Sequence, residues 1–318
     1  MQNSGSTRTF RDLIAANQRQ SALLAVGFVL FSVVALLVFT LVLVALGDPG
    51  ALEAMDLATL GAVALGWFTI ATIYTVVGYW RGDRMVLSVG GATAALYDSQ
   101  LDNVVEEMAI AAGTSVPKIY LIEDEAPNAF ATGRDPSHAA IAVTTGLLNK
   151  LTRDELQGVV AHELSHIRNY DTRLMLLLAV LVGAITLLSD AVWRAQRVSR
   201  PSSSRRESGN AGFVILIVGL LLAAVAPIFA QIIQLAVSRE REYLADASAV
   251  ELTRNPRGLA DALRKIAADP DVLDNATQAT AHLYIINPSR GLFGHAGSMF
   301  SSHPSTEERI RRLESLLV

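Results

Sequence analysis

The chain has 318 residues, of which 51% are hydrophobic and only 18% charged, and its mean hydropathy is +0.37. That balance excludes a disordered chain and argues against an ordinary soluble domain, in which about a quarter of the residues are charged. A net charge of −4 gives no basis for a nucleic-acid partner, and the absence of cysteine excludes disulfides, thiolate metal sites, iron–sulfur clusters and a cysteine nucleophile.

In chain order, the first features are two apolar runs. Ser21 to Leu46 is 26 residues and Leu57 to Trp80 is 24 residues without a charge. A hydrocarbon core takes about 20 residues of helix, so each is long enough to cross. The first run is too long for a signal-peptide core and reads as a retained span. Asp48, Glu53 and Asp56 make an acidic turn between the two. Arg8, Arg11 and Arg19 precede the hairpin, and Arg81 and Arg84 follow it. The positive-inside rule therefore predicts a cytoplasmic N terminus and a cytoplasmic chain after Trp80.

The next segment, 82–172, carries helical spacing at Leu101, Val104, Val105 and Met108. Lys118–Ile122 and Ala139–Val143 have strand composition. Between them lie Asn128-Ala129-Phe130-Ala131-Thr132-Gly133 and a turn at Asp135-Pro136. Thr152 with Glu155 forms a capping box, which predicts a helix from Arg153 through His166 and on into a third apolar run, Leu174–Ser189. A fourth run, Gly212–Val237, is separated from the third by a loop rich in serine and arginine around Arg200. Two full crossings would put that basic loop outside, against the positive-inside rule, so full and incomplete insertion of this pair both stay open. From Val237 the helical pattern continues through Glu251. Ser305 with Glu308 forms a second capping box, opening an amphipathic helix with Ile310, Leu313 and Leu317. The expected organisation is a tail and transmembrane hairpin (1–81), two halves of one cytoplasmic domain (82–172 and 238–318), and a hydrophobic pair between them (173–237).

The chemistry concentrates in His162-Glu163-Leu164-Ser165-His166, which fits the zinc-protease pattern H-E-x-x-H. On a helix, residues i and i+4 share a face, so both imidazoles can reach one ion. Glu163 lies about 100° round the helix, where it can take a proton from a water at that ion. A surface helix with two solvated histidines is the plain alternative, and the capped helix context argues against it. A catalytic zinc site needs a third protein ligand. Arg239-Glu240-Arg241-Glu242-Tyr243-Leu244-Ala245-Asp246 offers Glu242, with Asp246 four residues on to hold a histidine. By spacing alone, Glu240 and Glu251 are equally eligible, and a solvated, salt-bridged face is an equally good reading. If the helices were continuous, the eight residues from His166 to Leu174 and the five from Val237 to Glu242 would hold the metal roughly 8–12 Å from the apolar runs.

Taken together, the hairpin, the Asn128–Gly133 stretch, His162–His166, the hydrophobic pair, Glu242–Asp246 and the Ser302-His303-Pro304-Ser305-Thr306-Glu307-Glu308-Arg309 tail resemble the HtpX family of membrane-integral zinc metalloproteases, relatives of the CAAX prenyl proteases. The resemblance covers nearly the whole chain. It implies an α-helical membrane protein with a mainly α, zincin-like α+β catalytic domain split by a hydrophobic helix pair. It implies one zinc held by His162, His166 and Glu242, Glu163 as general base, and Asp246 orienting a histidine. The strand region Asn128–Thr144 would border the cleft, where substrate adds as a strand. The implied partners are polypeptides, above all misfolded membrane proteins, and the bilayer of the inner (cell) membrane. His303 reads equally as an oxyanion donor or a loop residue, and Asn128 as a substrate contact or a turn residue. His138, His282 and His295 read as surface or packing residues. Two rivals are weaker. A CAAX-type processing peptidase needs a larger membrane chamber, and a non-catalytic scaffold does not need Glu163.

Overall fold

The computed structural model describes residues 10–47, 50–51, 54–95, 99–198, 239–277, 280–286, 288 and 304–317. His303, His295, the serine- and arginine-rich loop and the fourth apolar run lie outside them. The chain divides into two compact units, one drawn from Met1–Ser21, Tyr79–Ala179 and Ile233–Val318, the other from Ala22–Gly78 and Val180–Ile232.

The second unit is helical in its described part. Helix α1 (Phe10–Gly47) and helix α2 (Leu57–Val89), of which Phe10–Ser21 and Tyr79–Val89 are counted in the first unit, carry the two predicted apolar runs, and both are long and apolar enough to cross a membrane. Large apolar side chains such as Leu23, Leu30, Phe68 and Ile73 are exposed along them. Exposed apolar stripes of that length fit a lipid environment. Some of their polar groups bond in place: the indole of Trp67 donates to Thr40 Oγ1 at 3.0 Å, and Tyr74 Oη donates to the Val180 carbonyl at 3.0 Å.

The first unit is built on a four-stranded sheet of order β1-β2-β4-β3, with β1 Ala92–Ala94, β2 Lys118–Ile122, β3 Ala129–Gly133 and β4 Ala139–Thr144. Strands β2 and β4 are parallel and β3 runs antiparallel to β4 at the edge, Ala131 opposite Ile141. Side chains alternate between two cores. Ala129, Ala131, Ile141 and Val143 face helices α3 (Ser99–Ala112), α5 (Arg153–Arg168), α7 (Arg239–Thr253) and α8 (Pro256–Ala268). Phe130, Ala140 and Ala142 face the other way, onto Val86, Leu87, Met175 and Leu176. A short helix, α4 (Thr145–Lys150), follows β4, with Thr144 as its N-cap.

Three departures from the sequence reading matter for the site. Strand β3 forms although only Phe130 and Thr132 in it favour strand, with Ala129 and Ala131 packed in the core beside α5. Helix α8 carries no capping box or long apolar run and is held by Leu259, Leu263 and Ile266 in the core. Thirdly, the helix from Arg153 does not continue into the third apolar run. Its N-terminal capping box forms in full, with Glu155 Oε2 accepting from Thr152 N–H at 2.7 Å. It ends at Arg168. Asn169 caps it, Tyr170 adopts a left-handed backbone (φ 61°), and a new helix, α6 (Asp171–Val198), begins at Asp171. The straight helical path assumed between His166 and Leu174 is therefore broken. The closing helix α9 (Thr306–Glu314) is capped by Ser305, but the Glu308 carboxylate pairs with Arg311 and Arg312 rather than closing the box.

Candidate metal centre

Helix α5 is buried along most of its length, and its close fit to α8 depends on one residue. A Cβ at Gly158 would lie 2.6 Å from the Leu259 backbone nitrogen. One turn further on, His162 and His166 emerge on the same face. Their Nε2 atoms lie 3.2 Å apart and their rings meet edge to face. Two nitrogens each about 2.0–2.1 Å from a tetrahedral ion would be separated by about 3.4 Å, so the pair already has the spacing of two ligands to one zinc. Glu242 comes in from α7. Its carboxylate oxygens stand 3.7 Å from Nε2 of each histidine, and the residue is 1% exposed. Among the described residues, His162, His166 and Glu242 form a buried three-residue group with donor atoms within 4.8 Å of one another. Two imidazoles and a carboxylate are a fitting donor set for zinc. Glu240 and Glu251, eligible by spacing, are exposed.

Each imidazole is held from behind. His162 Nδ1 lies 3.0 Å from Asp246 Oδ1, and His166 Nδ1 lies 3.0 Å from Asp171 Oδ2. A carboxylate on Nδ1 fixes such a ring and leaves the Nε2 lone pair available to a metal ion. Asp246 stands where its spacing from Glu242 predicts, beside a histidine of the pair. Asp171 is new. It reaches His166 because the chain breaks at Tyr170 and α6 restarts beside the end of α5. The break between the two helices thus creates the contact.

The second group that sequence reasoning missed is Arg309, on α9. It reads as one of several arginines in an acidic and basic tail, yet it is 1% exposed. Its Nε and Nη2 donate to the two oxygens of Asp246 at 2.9 and 2.7 Å, and Nη1 donates to the Ile285 carbonyl at 3.0 Å. Nη1 also lies 3.4 Å from Glu242 Oε2. The available signal was its spacing: Arg309 precedes the core residue Leu313 by four, which puts it on the buried face of α9.

Burial and these charges set the protonation of the site. Burial pushes the His162 pKa down to about 4, with Arg309 acting in the same direction. Burial also opposes the charge on His166, but Asp171 and the charges of Glu242 and Glu163 outweigh it and raise the pKa to about 9. Glu163 is raised to about 7, chiefly by burial, although His166 and a hydrogen bond from the Ala131 backbone pull it down. Asp246 stays below the usual carboxylate range despite burial, because Arg309 and His162 favour its charge.

Strand β3 runs past this group as the sheet edge. At its start Ile285 N–H donates to the Ala129 carbonyl at 3.0 Å, and Phe130 bridges to Tyr284. Asn128 sits just before it. Its Nδ2 donates to the Ile286 carbonyl at 2.9 Å and its Oδ1 accepts from Ala129 N–H at 3.0 Å, so its amide is engaged within the chain. His138 is at the surface against Asp135 at 2.8 Å. His282 is buried, with Nε2 3.1 Å from the Met175 carbonyl.

Comparison with known proteins places this geometry in context. Residues 95–317 match the model of Peptidase family M48. A protease HtpX homolog from Thermoanaerobacter pseudethanolicus is 46% identical over 259 residues, covering 80% of this chain and 85% of the relative. Another, from Dictyoglomus turgidum, is 40% identical over 311 residues, covering 97% of this chain and 95% of the relative. A crystal structure of S. mikatae Ste24p aligns over 96% of this chain and 67% of that one, with 19% identity and a TM-score of 0.48.

Proposed function

The chain belongs to peptidase family M48, among the membrane metalloproteases of the HtpX type, and from that premise we propose that it is a zinc-dependent endopeptidase using His162, His166 and Glu242 as metal ligands and Glu163 as general base. The observation that carries this reading is the convergence of two Nε2 atoms 3.2 Å apart on a buried carboxylate, with each Nδ1 backed by an aspartate. Zinc, when bound there, supplies a Lewis acid that polarises the scissile carbonyl and activates a water near neutral pH. Glu163 takes the proton of that water and delivers it to the leaving nitrogen. A carboxylate pKa of about 7 suits both transfers, since the group accepts and releases a proton near working pH. Asp246 and Asp171 hold the imidazoles in one tautomer, and Arg309 keeps Asp246 ionised.

Substrate binds along β3, where the edge past Phe130 offers backbone groups for an added strand. The preferred substrates are polypeptides of the membrane, damaged or misfolded ones in particular. His166 and Glu242 lie within a few residues of apolar runs in the sequence, which favours segments emerging from a bilayer. The arginines around the first two spans favour a multi-pass protein in the cell membrane with its catalytic domain in the cytoplasm. Segments 82–172 and 238–318 act as one catalytic domain.

The test is hydrolysis of an unfolded protein by the detergent-purified chain after metal stripping and stepwise return of zinc. Activity should track zinc occupancy up to one ion per chain. Full activity in the stripped protein would defeat the proposal. Reporter fusions near Arg200 test the insertion of the later hydrophobic pair.

A further inference from the structure

Helix α1 carries a polar turn, Asn17, Gln18, Arg19 and Gln20, just before the uncharged run that begins at Ser21. Asn17 is nevertheless buried, at 5% exposure. Its Nδ2 donates twice, to Asp171 Oδ1 at 2.6 Å and to the Asn169 carbonyl at 2.9 Å. Those two acceptors flank Tyr170, the left-handed residue that separates α5 from α6. The carboxylate of Asp171 is thus divided, with Oδ2 on His166 Nδ1 and Oδ1 on Asn17. Gln20, one turn on, accepts a hydrogen bond from Arg241 Nη2 at 2.5 Å, and Arg241 Nε lies 3.9 Å from Asp171 Oδ1. Arg241 immediately precedes Glu242.

A carboxylate can orient an imidazole only if it is itself fixed. Held by Oδ2 alone, Asp171 could rotate about its Cβ–Cγ bond, and the His166 ring would turn with it. A donor on Oδ1 removes that rotation, and the bond to the Asn169 carbonyl pins the chain break from which Asp171 projects. We infer that Asn17 is a positioning residue for His166, acting through Asp171, so that the polar start of the first membrane helix is a working part of the metal centre. The metal site is then complete only when α1 is seated, and the helix that continues into the apolar run also holds the metal-binding geometry. This inference rests on the proposed role of His166 as a ligand.

The test uses the full-length protein in detergent and reads zinc affinity by competition with a chromophoric chelator, together with the visible spectrum of the cobalt-substituted protein. Neither readout requires proteolysis. Asn17→Ala should weaken zinc binding by about tenfold, as removal of an orienting partner typically does, and should shift the cobalt bands. Asp171→Ala should lose at least as much. The double variant should be no weaker than Asp171→Ala alone, because both bonds of Asn17 serve to place Asp171 against His166. Gln18→Ala, an exposed neighbour on α1, should match wild type. If Asn17→Ala does not accumulate as folded protein, Asn17→Ser takes its place with the same expectations. Wild-type affinity and spectrum in the Asn17 variant, or losses that add in the double variant, would overturn the inference while leaving the metal site standing. A wild-type chain that binds no zinc, or a His166→Ala variant that binds it as tightly as wild type, would overturn the ligand assignment and this inference with it.

Discussion

Replacing Arg309 by leucine probes the support of the metal centre most severely. The guanidinium is buried and makes two hydrogen bonds to Asp246, one to the Ile285 carbonyl and a 3.4 Å ion pair to Glu242. Leucine retains much of the apolar volume but leaves two buried carboxylates without this cation. Removing one partner of a buried ion pair costs about 3–5 kcal/mol, because the remaining charge stays desolvated. For a unit of this size, about 2–4 °C of melting temperature is lost per kcal/mol, so the metal-free variant should melt about 6–20 °C below wild type. Zinc should recover part of that loss, since a bound cation offsets the charge of Glu242. Thermal melting of the metal-free protein in detergent, followed by titration with zinc, measures both effects. A second signature is pH. Without Arg309 burial should raise the Asp246 carboxyl, so acidification should relieve the buried charge and recover part of the variant's lost stability, whereas it removes stability from wild type, whose Asp246 is held ionised. A melting temperature within about 2 °C of wild type, with an unchanged pH profile, would refute the argument that Arg309 neutralises this cluster.

Glu163→Gln removes the base and no ligand, so the protein should keep its zinc and lose cleavage by at least about 100-fold, measured on an unfolded protein substrate. Normal turnover would reject Glu163 as the base. Glu242→Ala should lower zinc retention on dialysis, and full stoichiometry with activity would assign the third ligand elsewhere. His166 has a pKa raised to about 9 in the metal-free chain, and zinc requires the neutral ring. Below pH 9 binding must therefore displace that proton, and the apparent dissociation constant should fall roughly tenfold for each unit of rising pH, flattening above 9. Calorimetric titrations between pH 6 and 8 would contradict this if affinity did not change. Gly158→Ala should lower the melting temperature, because a Cβ there meets the Leu259 backbone at 2.6 Å and overpacking of this kind costs about 1–3 kcal/mol.

What could be read from the sequence was whatever depends on local spacing. His162 and His166 share a helix face because of the period, and the Thr152–Glu155 box starts that helix where the pattern says it should. The pair Glu242 and Asp246 follows the same period, although choosing Glu242 over Glu240 or Glu251 took the resemblance, and in the structure only Glu242 of the three is buried beside the histidines. The residues that escaped notice depend on tertiary contacts. Asp171 reaches His166 through a helix break at Tyr170, and nothing in Asn169-Tyr170-Asp171 announces a left-handed residue inside an apparently continuous helix. Arg309 hides among arginines whose neighbours are solvated. Asn17 looks like ordinary polar flanking sequence before a span. In strand β3 two alanines and a glycine dilute the strand preference of Phe130 and Thr132, and Ala129 and Ala131 pack into the core shared with β4 and α5.

The most direct test of the account is zinc K-edge X-ray absorption on the purified, zinc-loaded chain. The account predicts two imidazole nitrogens and oxygen donors at about 2.0–2.2 Å, with one imidazole lost in His166→Ala. A spectrum with no imidazole scattering, or one unchanged by that substitution, would contradict it.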